Sequence, residues 1–567
     1  MLAFDAAAAD LDFVPKATPM FSDVISRLIA DETLDQTRRR DLISGLRRMA
    51  KALGRAPEDV PCYPPWLQPR LARVSPAGNG LSTKAWQNVT SDARAAMVQA
   101  EIVERRQHGI SDLAGDWQAL WREVLASRSP TLQPSLCRFV HFLNRRDVRP
   151  AQVGVEHAQA YREALIRNEI GKAPEVSYRA AVNGWNLAVK QIGAWPRITL
   201  PLESRQKRIT LSERNLPKTL LEEIDALMHR LGQPDPFASH GRLRALRPDT
   251  VKQYRHRLLR FASELLHSGV AATEIKTLGS ILDPTMVERG LRQMLTRTDG
   301  NITSAISEMA TLLRGIGRDT EQPAEKQDKL AEFAKKLALP PRRGMTRKNR
   351  DRLRVLQDDK HLQRLLWLPE RLFANPPKGT ANAFTKALAR EDAIAIALLL
   401  FCPIRAKNLA GIHLEHNLQR PGDGRVFLVL TGSETKNERP LEFELPRDLI
   451  RMIDGHLTTR CPQLCPPGTP WLFPRRDGAG PIPASQIAHR IGKRVRREIG
   501  IDMNAHLFRH FAVMTWLNAH PGSYEAARRL LGHSEISHTI NLYSGLEVTA
   551  ATRAFSDLVN AHKEGRR

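Results

Sequence analysis

The stretch from residue 505 to 545, AHLFRHFAVMTWLNAHPGSYEAARRLLGHSEISHTINLYSG, decides how the rest of the sequence is interpreted. His506 and Arg509 are three residues apart, so a helix places them on one face. The glycine before His533 predicts a helix end, because glycine accepts the left-handed conformation there. Tyr543 follows ten residues after His533. A cation, two imidazoles and a phenol that converge suit attack on a phosphodiester, with the phenol oxygen as nucleophile and positive donors stabilising the phosphoryl oxygens.

The order and spacing of these groups resemble the C-terminal motifs of the tyrosine recombinase family, the phage-type integrases. That family places an arginine after the end of a buried helix and a lysine on a β-hairpin, both upstream. An arginine follows the apolar run AIAIALLLF in CPIRAKNLAG, and one lysine lies between the segments VFLVL and LEFEL. The resemblance therefore implies six catalytic residues: Arg405, Lys436, His506, Arg509, His533 and Tyr543.

The resemblance also implies a mechanism. Tyr543 attacks a DNA phosphodiester, forms a 3′-phosphotyrosyl bond and frees a 5′-hydroxyl. Arg405 and Arg509 bind the non-bridging oxygens, because guanidinium groups match phosphate geometry. His533 donates a hydrogen bond to the same oxygens. His506 assists proton movement at the tyrosine, and Lys436 protonates the leaving oxygen. No metal or other cofactor is implied, and the implied partner is double-stranded DNA, with a homotetramer acting on two duplexes, alone or with other recombinases or accessory proteins.

Two departures from the family pattern concern the activity. The family often has an acidic residue three positions after the first arginine, whereas this chain has Asn408, which forms hydrogen bonds without a charge. Many members place the tyrosine nine residues after the LGH histidine, and here the interval is ten. We interpret Asn408 as a change that tunes the activity without abolishing it, and the extra residue as the mark of a subfamily with a slightly different turn. Tyr543 stays the nucleophile because the next tyrosine upstream is Tyr524.

Composition agrees with a nucleic-acid partner. The chain has 567 residues, which predicts two to four domains, and a hydrophobic fraction of 42%, which predicts a folded protein. The 86 lysines and arginines exceed the 61 acidic residues by 25, and the pI is about 10.3. Such a balance indicates a polyanionic partner, with nucleic acid first, an anionic membrane surface second, and a generic basic protein as the plain alternative.

The sequence predicts a cytoplasmic protein, associated with the nucleoid if it is bacterial. The longest apolar run, Ala393 to Ile404, is too short to span a bilayer, and the first residues show no signal peptide. Five scattered cysteines fit a reducing compartment. Only Cys461 and Cys465 are close together, and without a second ligand pair they do not indicate a zinc site.

We expect a mainly α protein with a small β-hairpin or sheet in its catalytic domain, an α+β class. The N-terminal extension is expected to be helical, and one interpretation is two degenerate copies of a core-binding unit. The resemblance implies a helical, SAM-like core-binding domain before the catalytic domain. The expected divisions are an extension at 1–205, a core-binding domain at 206–340, a basic linker at 341–354, and a catalytic domain at 355–567. A final amphipathic helix at 546–560 packs on its own domain or on a neighbouring protomer.

Two basic segments are candidates for contact with DNA phosphates. One is the linker PPRRGMTRKNRDRLR, and the other is the helix QIAHRIGKRVRREIG, whose isoleucines and valine form an apolar stripe opposite its cations. The plain alternative for both is a solvated surface. The candidate residues are Arg342, Arg343, Arg347, Lys348, Arg490, Lys493, Arg494 and Arg497.

Two other functions stay open at this point. A type IB topoisomerase shares the same chemistry and relaxes supercoiled DNA as a monomer without a defined site. A DNA-binding accessory factor could keep the motifs without activity, and Asn408 is the first indication of that possibility. For residues 1–205 the sequence leaves contact with DNA arms, contact with partner proteins and control of oligomeric state as alternatives.

Overall fold

The computed structural model describes residues 11, 13–171, 173–203, 209–233, 244–340, 344–375, 382–543 and 548–564. The chain divides into two compact units, one at Glu203–Arg342 and one that combines Met1–Leu202 with Arg343–Arg567. The fold is mainly α-helical with one small antiparallel sheet, so the predicted fold class is confirmed. Among the described residues, none of the helices has the length and apolar character needed to cross a bilayer.

The N-terminal residues form helices around two apolar cores. The first core contains Phe21 and Trp66, and the second contains Trp117, Trp185 and Trp195, whose rings meet edge to face. Burial of these large side chains supplies much of the apolar area that stabilises this region. The helices are α1 (Phe21–Ala30), α2 (Gln36–Ala52), α3 (Pro64–Leu71), α4 (Thr83–Gln99), α5 (Gly115–Ala126), α6 (Leu132–Asn144), α7 (Val155–Asn168) and α8 (Pro174–Gln191).

The second unit is a helical bundle with its own core. Ile224, Phe261 and Leu313 are among its fully buried residues. Glu264 is buried in the same unit and accepts hydrogen bonds from Arg260 and Arg297, which balance its charge. The helices are α9 (Lys218–Gly232), α10 (Pro248–His267), α11 (Leu278–Ile281), α12 (Pro284–Thr296), α13 (Ser304–Asp319) and α14 (Ala324–Lys336).

The C-terminal residues surround one buried helix, Ala383–Phe401. Its apolar residues face all directions, so it lies in the centre of a core that extends from Met345 to Tyr543. The Asn382 side chain caps its first turn by accepting from the Thr385 amide at 2.9 Å. The helices are α15 (Arg347–Arg354), α16 (Asp359–Leu366), α17 (Leu368–Ala374), α18 (Ala383–Phe401), α19 (Ala406–Ala410), α20 (Arg447–Thr459), α21 (Ala484–Ile499), α22 (Ala505–Ala519), α23 (Tyr524–Leu531), α24 (Ile536–Tyr543) and α25 (Val548–Glu564).

The sheet contains the predicted hairpin and one strand that the sequence analysis missed. Strand β2 (Phe427–Leu430) pairs antiparallel with β3 (Leu441–Glu444), within one residue of each predicted segment. The extra strand, β1 (Leu418–Gln419), pairs with β2 and has only two residues, too few for a period-two pattern. On the last helix, α25, Phe555 is 66% exposed and Leu558 is 56% exposed.

A turn of the N-terminal region contacts the end of α21 within the same compact unit. Arg364 donates to the carbonyl oxygens of Ala77 and Glu498, at 3.0 and 3.4 Å. Gly500 follows with a φ of +85°, and a Cβ added there would meet the Gly78 backbone at 2.5 Å. Glycine is therefore required at residue 500 both by its left-handed conformation and by this close approach.

Candidate active site

Arg509 joins the two segments that carry its predicted partners. Its helix, α22, begins with Asn504, whose side chain caps the first turn by accepting from the Leu507 amide at 2.9 Å. The Arg509 guanidinium is 2% exposed and donates to the carbonyl oxygens of Pro403 and of Leu531, the latter at 2.8 Å. Pro403 precedes Arg405 by two residues, and Leu531 precedes His533 by two. One side chain thus bonds to the segments that precede two other predicted site residues.

Arg405 and His506 lie near Arg509. Arg405 is the half-buried residue that precedes α19, and burial lowers its pKa. Burial and then the charge of Arg405 lower the pKa of Arg509 to about 10, so the Arg509 guanidinium stays charged at neutral pH. Desolvation, followed by the charges of Arg509 and Arg405, lowers the pKa of His506, whose side chain reaches the surface. The charges of Arg405 and Arg509 act on the same histidine, and such a concentration of positive charge favours an anionic ligand.

Tyr543 reaches this cluster from α24 and is held by a residue that the sequence analysis did not include. The Tyr543 hydroxyl and His510 Nδ1 are 2.9 Å apart, and Tyr543 is 1% exposed. Burial raises the pKa of Tyr543, so the phenol is neutral. Burial, with the charges of His506, Arg509 and His533, lowers the pKa of His510 to about 3, so its imidazole is neutral too. The rings of His506 and His510 are 4.6 Å apart, which continues the line of groups from Tyr543 to the surface.

His533 is fixed by the turn that follows α23. Gly532 ends the helix with a φ of +62°, as the sequence predicted, and a Cβ there would lie 2.9 Å from Leu441. His533 is 8% exposed, and its Nδ1 and the Thr539 hydroxyl are 2.9 Å apart. Arg528 donates to the His533 carbonyl oxygen at 2.8 Å. These bonds fix both the backbone and the ring of His533.

The turn that carries Lys436 is bonded to the same region at two points. Asn437 donates to the Gly532 carbonyl oxygen at 2.7 Å, immediately before His533. Asn408 is 8% exposed and donates to the Glu434 carbonyl oxygen at 2.9 Å. Lys436 lies between these two attachments, with its side chain exposed. The residue that departs from the family pattern is therefore a hydrogen-bond donor to the lysine turn.

The eight predicted DNA contacts divide into three groups. Arg342 and Arg343 lie outside the described residues. Arg347, Lys348, Lys493 and Arg497 are exposed. Arg490 and Arg494 point into the domain, so the structure does not bring them to the surface: both bind Asp392, and Arg490 also binds Glu391. These two acidic residues are almost fully buried, and the arginines balance their charge.

Residues 370–548 match the phage integrase family. This segment contains all six residues that the motifs selected, so the inferred resemblance is confirmed. The similarity to the phage integrase family therefore covers the segment that holds the site described above. A search of curated protein sequences gave no match.

Several solved structures resemble the chain at low identity. The XerA recombinase structure is 14% identical with a TM-score of 0.26, covering 59% of this chain and 98% of that one. XerH site-specific recombinase bound to difH substrate is 14% identical with a TM-score of 0.37, covering 60% and 95%. The Tn1549 transposon integrase in complex with circular intermediate DNA is 14% identical with a TM-score of 0.36, covering 59% and 99%. The similarity to the phage integrase family rests on the sequence match over residues 370–548.

The structure adds three residues to the predicted set and gives a contact to Asn408, which the sequence had singled out as a departure from the family pattern. His510 contacts the tyrosine, Asn437 and Asn408 attach the lysine turn, and Thr539 contacts His533. Only His510 had a local signal, because it is a second histidine four residues after His506 on one helical face. Thr539 and Asn437 are recognised only through partners 6 and 95 residues away in the sequence.

Proposed function

We propose that the chain is a site-specific DNA recombinase or integrase that cleaves and rejoins double-stranded DNA through a 3′-phosphotyrosyl intermediate, in the integration, excision or transposition of a mobile element. One observation carries the proposal. Arg509 bonds to the segments beside Arg405 and His533, and Tyr543 enters the same cluster through His510. A phenol beside this many buried cationic and imidazole groups suits phosphoryl transfer better than structural packing.

The proposed chemistry balances without a metal ion. The Tyr543 oxygen bonds to phosphorus, the bond from phosphorus to the 5′-oxygen breaks, and Lys436 gives that oxygen a proton to form the 5′-hydroxyl. The phenol proton passes to the imidazole pair of His510 and His506. In rejoining, a 5′-hydroxyl attacks the phosphorus and gives its proton to Lys436. The bond from phosphorus to the Tyr543 oxygen breaks, and that oxygen regains its proton from the imidazole pair.

The Arg509 guanidinium has further N–H donors that can bind a phosphate. A guanidinium has five N–H donors, and this one directs donors at two carbonyl oxygens. The remaining donors, with those of Arg405, bind the non-bridging oxygens as negative charge grows there. Because Tyr543 is 1% exposed, its hydroxyl must become accessible before it can reach a phosphate. We infer that DNA binding drives this step.

Covalent capture tests the proposal. The wild-type chain and Tyr543→Phe are expressed with host DNA, denatured and purified, and the attached DNA is sequenced. We expect adducts at one or a few sites for the wild type and none for Tyr543→Phe. Tyr524→Phe, which removes the next tyrosine upstream, is the matched control and keeps its adducts. Adducts scattered over all sequences would indicate the topoisomerase alternative, and a complete absence of adducts with DNA binding intact would indicate an accessory factor.

We also propose a homotetramer on two duplexes as the active assembly, alone or with other recombinases or accessory proteins. Each chain has one Tyr543 and cuts one strand, and complete exchange between two duplexes requires four cuts. Mass photometry of the Tyr543→Phe chain with its captured site tests this assembly. A mass of four chains and two duplexes supports it, whereas a stable complex of one chain with one duplex contradicts it.

A further inference from the structure

The N-terminal region contains a cleft that the proposed DNA chemistry does not use. It lies between α4, the segment that follows α4, and the end of α7, and its volume is about 680 Å³. A chamber of about 70 Å³ adjoins it and is lined by several of the same side chains. The charged residues shared by both are Arg94, Arg105, Arg106, Arg138 and Glu169.

Positive charge exceeds negative charge in this cleft. Glu169 is 3% exposed and is bonded by Arg106 at 2.7 Å and by Arg138 at 2.5 Å. It also accepts from the amides of the next two residues at 3.2 Å, which uses its remaining lone pairs. Glu104 lines the chamber and pairs with Arg145 at 3.0 Å. Within the described residues, no ion pair therefore joins Arg94 or Arg105 to a carboxylate, although the charges of Glu169 and Glu104 act on Arg94.

Arg94 is buried unfavourably among these positive charges. Its Nη2 donates to the Glu104 backbone carbonyl oxygen at 2.6 Å, and its Nε is buried without a hydrogen-bond partner. Burial and then the charge of Arg106 lower the pKa of Arg94 to about 10. His141 lines the same chamber at 3% exposure, and its ring nitrogens form no hydrogen bond of ordinary geometry, although the His108 backbone lies near. An anion in the chamber would satisfy these donors and offset the charge repulsion.

An aromatic side chain lies on the same helical face as Arg94. Trp86, Thr90, Arg94 and Val98 are spaced four residues apart on α4, and all of them line the cleft. Eight residues of helix separate Trp86 from Arg94, a distance of about 12 Å. A phosphate held by the arginines and a planar base held against Trp86 would fit within this length.

We propose that this cleft binds a nucleotide through its phosphate. Arg94 and Arg105, supported by Arg106 and Arg138, receive the phosphate oxygens, and Trp86 contacts the base. The phosphate chemistry is shared by free nucleotides and single-stranded nucleic acid. The proposal does not depend on the proposed recombinase function, because it concerns residues outside the tyrosine cluster.

Isothermal titration calorimetry with the full-length chain tests the proposal. The probes are inorganic phosphate, adenosine 5′-monophosphate and a short single-stranded oligonucleotide. We expect saturable binding of the nucleotide, at least tenfold weaker in Arg94→Gln and in Arg105→Gln. Arg122→Gln, an exposed arginine of α5 outside the cleft, is the matched control and binds as the wild type. Trp86→Leu is expected to weaken the nucleotide at least fivefold and to leave inorganic phosphate unchanged.

Circular dichroism and thermal melting show whether each variant folds. Arg105 is exposed and outside the Glu169 network, so its substitution keeps the test valid if Arg94→Gln does not fold. If only the oligonucleotide binds, and Arg94→Gln and Arg105→Gln weaken that binding, the ligand of the cleft is a single-stranded nucleic acid and not a free nucleotide. Absence of saturable binding for all three probes, or equal binding by wild type and both arginine variants, would overturn the proposal. No readout involves DNA cleavage, so its failure is separate from failure of the recombinase proposal.

Discussion

His510 is the residue in direct contact with the Tyr543 hydroxyl, so its substitution tests the cluster most directly. His510→Phe keeps an aromatic ring in the buried space and removes the hydrogen bond. We expect at least tenfold less covalent adduct per unit time, with DNA affinity within twofold of the wild type, because the bond positions the proposed nucleophile and His510 is not a proposed DNA contact. Denaturing gels measure the adduct. His510→Asn, which keeps a polar group, should form adduct faster than His510→Phe. Adduct formation by His510→Phe at the wild-type rate would contradict this role of His510.

Asn408 leads to a prediction opposite to the family pattern. Its amide donates to the Glu434 carbonyl oxygen, and a carboxylate at that position would place oxygen against oxygen. We therefore expect Asn408→Asp, which restores the acidic residue common in the family, to lower the rate of cleavage at least tenfold. Adduct formation is measured against pH, because protonation of the new carboxyl restores a donor and should recover part of the rate below about pH 5. An increase in rate at neutral pH would contradict this account.

At the scale of elements, helix α20 predicts a pH-dependent stability. His456 is fully buried, and burial followed by the charge of Arg460 lowers its pKa to about 3. An unfolded histidine has a pKa of about 6.5, so between these values the unfolded chain binds a proton that the folded chain does not. The free energy of unfolding is therefore undiminished above pH 6.5 and falls as the pH drops toward 3. At pH 5 the loss is up to about 2 kcal/mol for this one group.

Hydrogen exchange of peptides from Arg447–Thr459 measures that loss. His456→Leu removes the titrating group. The opening free energy of this variant minus that of the wild type should therefore rise by about 2 kcal/mol when the pH is lowered from 7.5 to 5. Comparison at equal pH cancels the intrinsic exchange rate. His489→Leu, which replaces an exposed histidine of α21, is the control and should show no such change. Equal pH responses of the wild type and His456→Leu would contradict the burial argument.

The turn between β2 and β3 predicts a coupling between neighbours. Asn437 donates to the Gly532 carbonyl oxygen, and we expect this bond to position Lys436. Asn437→Ala and Lys436→Ala should each slow cleavage more than they weaken DNA binding. The double variant should be no slower than Lys436→Ala, because a misplaced lysine and an absent lysine have the same effect. Additive losses in this double-mutant cycle would show that Asn437 acts independently.

Sequence patterns predicted secondary-structure elements better than they predicted which side chains contact one another. Strands β2 and β3 and the glycine end of α23 came from local periodicity and turn chemistry, and the structure agrees within a residue. A basic helix was expected at 486–500 and the structure has it at Ala484–Ile499, but two of its arginines face inward. Their partners, Glu391 and Asp392, are about a hundred residues earlier, directly before a long apolar run. Acidic residues next to such a run must be neutralised when it is buried, and tertiary contact decides which cations do so.

At the scale of the whole molecule, the charge of +25 predicts a steep dependence of DNA affinity on salt. With about six phosphate contacts the affinity should fall about a thousandfold between 50 and 200 mM salt. Fluorescence anisotropy with a duplex measures the slope. Lys493→Gln removes an exposed cation and should reduce the slope by about one, whereas Arg494→Gln, one residue along and buried, should leave it unchanged. A flat salt response would contradict binding through phosphates.

Arg509 has a consequence for biosynthesis. The carbonyl oxygens that it binds belong to Pro403, more than a hundred residues earlier, and to Leu531, 22 residues later. On the ribosome, the first segment emerges long before the second, and the tyrosine emerges last of the six. A nascent chain that ends before Leu531 holds several phosphate-binding groups but cannot complete the bonds that arrange them. Under the proposed function, strand breakage would therefore begin only after translation has passed Tyr543, and incomplete chains would not break the chromosome of the cell that makes them.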